Sequence, residues 1–341
     1  MPSSVHLVGS VGLEDVDAVF LTVGRLLGPH LKRVPDGEPG GRRVWTSWQY
    51  PVFLASPWLE PDPDVPPPTR GSGLRRMRLA KGVQPEDLRF GELGYAREAR
   101  ASYEDFRRAR ERGALPKCAR FQVSMPTPIN ILSTAFTPAT VPSIEPAYER
   151  AMLAEVKRIC DAIPNEDLCI QWDMVREVMW YDGRSGEQLP FPDEKRAAIE
   201  RLTRLGAAVP KAVELGFHLC YGDWMGRHVI EPLDTRALVI LMNAIAAAAS
   251  RPVTYFHLPV PIDRSDDAYF EPLRDLNLQP GTEVYLGLVH LKDGAQGTRR
   301  RMEVARRFLP QFGIATECGL GRSKTPQTVE EILKVCAEAA S

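Results

Sequence analysis

The 341-residue chain has almost no imbalance of charge: 43 lysines and arginines stand against 44 aspartates and glutamates, a formal net charge of −1. So even a balance gives no electrostatic footprint for a polyanion, and nucleic acid is not expected as a partner. Long apolar runs are also missing. The longest, Ala237–Ala249, has 13 residues and contains Asn243, too short and too polar for a bilayer span, so no membrane partner is expected either. The N-terminal MPSSVHLVGS has no basic segment leading into an apolar one, and no secretory signal is read there. Cysteine is sparse: six residues, at 118, 160, 169, 220, 318 and 336, are scattered without a short repeat. A disulfide framework is therefore excluded, and a reduced, cytoplasmic protein is expected. With 44% hydrophobic residues, the chain has enough apolar side chain to fold throughout.

What the sequence does contain is alternation. Eight brief apolar runs read as strands: Val5–Gly9, Leu31–Val34, Arg120–Ser124, Leu168–Trp172, Gly216–Tyr221, Val253–Leu258, Glu283–His290 and Gly313–Thr316. Amphipathic stretches between them read as helices: Leu13–Leu27, Pro146–Ile163, Asp193–Leu215, Asp234–Ser250, Gln296–Leu309 and Thr325–Ala340. Strand–helix alternation implies a parallel sheet, and eight units imply closure into a single (β/α)₈ TIM barrel, an α/β fold occupying residues 1–341. Residues 37–117 do not fit one βα unit and read as an insertion, or lid region, after the second strand. Its prolines between Pro57 and Thr69 forbid a helix. Glu86–Arg112, with alternating charges, reads as a solvated helix.

The sharpest chemical signal is Gly216-Phe-His-Leu-Cys-Tyr-Gly222. His218 and Cys220 are two apart on a strand, so both side chains face the same way. Imidazole and thiolate are the donors that zinc prefers. Alone, such a pair is a common coincidence. However, His257 and Cys318 fall at the ends of two further strands, and strand C-termini converge on one barrel mouth. His218, Cys220, His257 and Cys318 are thus a candidate Cys₂His₂ metal site.

With these motifs in place, the chain resembles the cobalamin-independent methionine synthase family, specifically its C-terminal catalytic barrel. Leu7-Val-Gly-Ser10 is similar to the family's first-strand motif, Asp36-Gly-Glu38 to its Gly-Glu motif, and Met125-Pro-Thr-Pro-Ile-Asn-Ile-Leu132 to its folate-facing segment. Ile170-Gln-Trp-Asp173, His218-Leu-Cys220 and Glu317-Cys318-Gly-Leu320 match its Ile-Gln-x-Asp and zinc-ligand motifs. The resemblance implies a zinc-dependent methyl- or alkyltransferase with two small-molecule substrates, a thiol of the homocysteine kind and an alkyl donor such as methylfolate. In it, positions matching Ser10, Glu38 and Asp173 hold the amino acid. Asp223, just after the H-x-C strand, is expected to line the same pocket.

Three departures stand out. His257 occupies the place of the family's glutamate ligand. The segment Ile131–Phe136 lacks a tryptophan to stack on a pterin, leaving Trp45, Trp48 and Phe136 as nearby aromatics. The family's Asp-x-His becomes His290-Leu-Lys292-Asp293, so the general acid is expected among His290, Lys292 and Asp293. The competing reading is a metal-free lyase resembling uroporphyrinogen decarboxylase, with Arg42 and Arg43 clamping carboxylates.

Overall fold

The protein is described here by a computed structural model, in which residues 3–66, 73–186, 191, 193–222, 228–322 and 324–341 are described. Ten strands occur among them: β1 (Val5–His6), β2 (Arg33–Pro35), β3 (Leu59–Pro61), β4 (Met77–Leu79), β5 (Arg120–Pro126), β6 (Leu168–Met174), β7 (Glu214–Leu219), β8 (Tyr255–Pro259), β9 (Glu283–Val289) and β10 (Gly313–Thr316). Eight of them form one parallel sheet in the order β1-β10-β9-β8-β7-β6-β5-β2. Parallel bridges Val5↔Leu31 and Ser10↔Gly37 join its two edges, so the sheet closes on itself as a TIM barrel. All eight runs read from the sequence become barrel strands, with ends shifted by a few residues. Helices such as Val16–Leu27 and Pro326–Ala340 cover the outside. Asp15 and Thr325 cap these two by accepting from Ala18 and Thr328 amides, the N-terminal chemistry their side chains favour.

The segment between β2 and β5 holds more than an insertion. The strands β3 and β4 pair as an antiparallel two-stranded sheet, while the charged stretch forms the helix Tyr95–Glu111. One face of it is salt-bridged and exposed, through Arg107 with Glu104 and Glu111 and through Arg108 with Asp105. The other face buries Tyr95, Ala99, Tyr103, Phe106 and Ala109. It is therefore a helix of the outer ring rather than a solvated one, because its apolar residues recur at helical spacing beneath the charges.

The barrel interior is polar to an unusual degree for this architecture, which is ordinarily filled by branched aliphatics. His6, Gln122, Gln171, Tyr255 and His257 are all buried. Each makes at least one hydrogen bond, as is usual for buried polar side chains. The Gln171 carbonyl accepts from His6 Nε2 and from the Tyr255 hydroxyl, both at 2.9 Å. Burial and the nearby Arg33 guanidinium drop the His6 pKa to about 3, so the ring is neutral. Gly216 makes room for this layer: a Cβ there would sit 2.0 Å from the Tyr255 ring. Gly216→Ala is expected to destabilise the fold by about 3 kcal/mol or more, the upper range for overpacking, as read by urea denaturation.

Strand register sets the site. Asp173 on β6 pairs with His218 on β7, which pairs with His257 on β8. Three chemically active side chains therefore share one layer near the strand C-termini.

Candidate active site

At the C-terminal mouth, His218 Nε2 and the Cys318 sulfur are 3.8 Å apart, and the Cys220 and Cys318 sulfurs are also 3.8 Å apart. Together the three donor atoms lie within 4.8 Å of one another. Tetrahedral coordination with bonds of about 2.3 Å to sulfur and 2.0 Å to nitrogen places two sulfurs about 3.8 Å apart, and sulfur and nitrogen about 3.6 Å apart. The residues present thus fit a zinc ion in donor type, and the two separations to Cys318 match that spacing. The two thiols share their charge unequally. The Cys220 thiol hydrogen-bonds Cys318, which holds Cys318 well below an ordinary thiol pKa, aided by His218 and Arg322 against the opposing effect of burial. Cys220 is pushed up by the same contact and by burial. Burial alone would depress the His218 pKa, but Cys318 and Asp173 turn its shift upward.

The structure does not bring His257 to this group. Its two ring nitrogens are engaged elsewhere, Nδ1 with His218 Nδ1 at 2.7 Å and Nε2 with the Thr316 carbonyl at 3.0 Å. The expectation of His257 as fourth ligand is corrected accordingly: β8 places it behind His218, against Nδ1 rather than the Nε2 that faces Cys318. Asp223 lies outside the described residues.

A cavity of about 190 Å³ opens over the sulfurs and is also lined by Ser10, Glu38 and Asp173. Ser10 is bridged to Gly37, and its hydroxyl accepts from the Gly321 amide at 3.2 Å. Glu38 has a positive φ of 51°, unusual for a residue with a side chain and a common mark of ligand sites. The turn is anchored by Asp36, which accepts from the Glu38 amide at 2.9 Å and pairs with Arg42 at 2.8 Å. Burial, then Asp173 and Asp36, push the Glu38 pKa well up. Burial also raises Asp173 to about 6, although His218 and a hydrogen bond from Gln171 oppose it. Two carboxyls with this poise have an unmet demand for positive charge.

The remaining sequence candidates lie elsewhere. None of His290, Lys292 and Asp293 lines the cavity. Lys292 is exposed. Asp293 is gripped by Arg301 at 2.7 and 2.9 Å, which lowers its pKa. His290 contacts the Val260 carbonyl at 2.9 Å and faces Glu317 at 3.6 Å, and burial with Arg301 holds its pKa near 4. Cys118 is exposed. Of the three aromatics weighed for stacking, Trp45 lines the cavity, whereas Phe136 is buried against Phe53 and Trp48 packs on Tyr95. Sequence reasoning passed over Arg176 and Arg322, which with Arg43 put three guanidiniums on the cavity wall. Their positions three residues after Asp173 and four after Cys318 were the available clue.

No protein-family model and no curated protein matches the sequence. Among solved structures, the chain is similar to a B12-independent methionine synthase from Shewanella sp. W3-18-1, solved with selenomethionine. The TM-score is 0.66 at 13% identity, over 100% of this chain and 97% of that one. A protein from Listeria monocytogenes, assigned provisionally to the same class, gives a TM-score of 0.57 at 11% identity, over 98% of both chains. A methyltransferase from Methanosarcina mazei gives 0.50 at 9%, over 98% and 93%. These likenesses are of fold. Among the described residues no helix is long and apolar enough to cross a membrane.

Proposed function

We propose that the protein is a cytoplasmic, zinc-dependent methyl- or alkyltransferase that moves an alkyl group to the sulfur of a small amino-acid thiol. The observation that carries this reading is the convergence of His218 Nε2 and the Cys220 and Cys318 sulfurs within 4.8 Å of one another, in a cavity lined by residues of both charges. Its resemblance in fold to methionine synthases and a methyltransferase supports the same chemistry. His218, Cys220 and Cys318 would hold the zinc, whose positive charge would favour the deprotonated form of a thiol beside it at neutral pH.

The chain's own groups account for the rest of recognition. Glu38 and Asp173 receive an ammonium, and its charge draws both carboxyls into their ionised forms. Arg43, Arg176 and Arg322 offer donors for a carboxylate. Ser10 lines the same cavity, bridged to Gly37 and bonded to the Gly321 amide. Trp45, Val175 and Met179 give the cavity an apolar side where the donor's alkyl carbon can lie near the thiol. The decarboxylase-like alternative is not favoured, because Arg42, half of the expected clamp, is committed to Asp36 and Glu98.

The test is metal analysis of purified protein, followed by cobalt substitution and titration with thiols. One metal per chain is expected, together with a change in the cobalt–sulfur absorption on adding an amino-acid thiol and smaller changes with thiols lacking either charge. Metal-free protein with full transfer activity would overturn the reading.

A further inference from the structure

His257 is fully buried, and its two nitrogens meet His218 Nδ1 and the Thr316 carbonyl. A backbone carbonyl only accepts hydrogen bonds, so the 3.0 Å contact with Thr316 requires the hydrogen of His257 to be on Nε2. Full burial against the His218 and His6 rings disfavours a second proton on His257, which leaves Nδ1 as a bare acceptor. The 2.7 Å contact between the two Nδ1 atoms then requires His218 to donate from Nδ1. This leaves His218 Nε2, the atom 3.8 Å from the Cys318 sulfur, as its ligating nitrogen. The path closes on itself, since Thr316 lies two residues before Cys318 and its hydroxyl donates to the Cys318 carbonyl at 2.8 Å. Strands β7, β8 and the end of β10 are clasped around the site by one chain of directed hydrogen bonds.

We infer that His257 is a positioning residue: it relays a hydrogen bond from His218 to the Thr316 carbonyl, selecting the His218 tautomer and ring orientation that present Nε2 to the metal beside Cys318. Its consequence for the metal rests on the transferase reading above, while the relay itself is a property of the metal-free chain. Outer partners of this kind change metal affinity by about 10–100-fold when removed.

Two measurements test it. Long-range ¹H–¹⁵N correlation spectra of metal-free protein should show His257 protonated at Nε2 and His218 protonated at Nδ1. Protonation of His257 at Nδ1 instead would overturn the relay, whether or not the protein takes up zinc. Zinc affinity, measured by competition with a chromophoric chelator, should fall about 10–100-fold in His257→Leu. In His257→Gln, whose amide can both accept from His218 and donate to Thr316, it should stay within about threefold of wild type. Equal weakening in both variants, with two imidazole nitrogens in the X-ray absorption of the wild-type zinc site, would make His257 a ligand and overturn the inference, as would undiminished affinity in a folded His257→Leu. Failure of the wild type to bind zinc would count against the transferase reading alone, because the tautomer measurement still decides the relay.

Discussion

Cys318→Ser is expected to lower zinc affinity by more than the roughly 100-fold upper range for outer-sphere changes, and to remove transfer activity with it. Cys318 holds the thiolate of the pair, and the Cys220 thiol and His218 are both organised around it. A serine hydroxyl at that place keeps its proton at neutral pH and is a poor zinc donor. Cys118→Ser, at an exposed cysteine, should leave zinc affinity and activity unchanged. The asymmetry of the two sulfurs can be read chemically as well. In metal-free protein, iodoacetamide should modify Cys318 well before Cys220, since the thiolate is the nucleophile. Zinc should protect both. Peptide mass spectrometry after timed alkylation distinguishes them. Preferential modification of Cys220, or no protection by zinc, would contradict the charge distribution described here.

The barrel was legible because its strands are short, apolar and separated by strong punctuation, so only their ends moved on folding. The helix Tyr95–Glu111 was half legible: alternating charge announced its wet face, while Tyr95, Ala99, Tyr103 and Phe106 were masked by the arginines and glutamates around them. At the site, residue types alone singled out His218, Cys220 and Cys318 because strand ends in this architecture meet at one mouth. His257 obeyed the same rule and still does not join the cluster. Being in register with His218 on the adjacent strand puts its ring flank to flank with the other imidazole, and hydrogen-bond direction, invisible in a sequence, decides between ligand and support. Arg176 and Arg322 were missed for a related reason. Surface arginines are common enough that only the curvature of a cavity wall distinguishes these two from the rest.

Asp173→Asn is expected to raise stability and destroy recognition together. In the folded chain Asp173 titrates near 6, above its ordinary value of 3.8, so the native state holds this proton more tightly than the unfolded chain does. Stability from this group is then greatest below about pH 4 and declines as the pH rises through 6, the reverse of an ordinary paired carboxylate. The difference of about two pKa units corresponds to about 3 kcal/mol, borne in full at pH 8 and nearly absent at pH 3. Asparagine keeps an oxygen for the 2.7 Å hydrogen bond from Gln171 and carries no charge to bury. Urea denaturation of metal-free protein should therefore find Asp173→Asn more stable than wild type by up to about 3 kcal/mol at pH 8 and close to it at pH 3. Calorimetric titration with an amino-acid thiol should find its binding weakened 100-fold or more, as expected when one partner of a desolvated ion pair is removed. A stability gain without lost affinity would remove Asp173 from the ammonium site. Lost affinity without the pH-dependent gain would mean that its carboxylate is already compensated in the empty protein. A residue that costs stability until a cation arrives is the expected mark of a binding site held ready for its ligand.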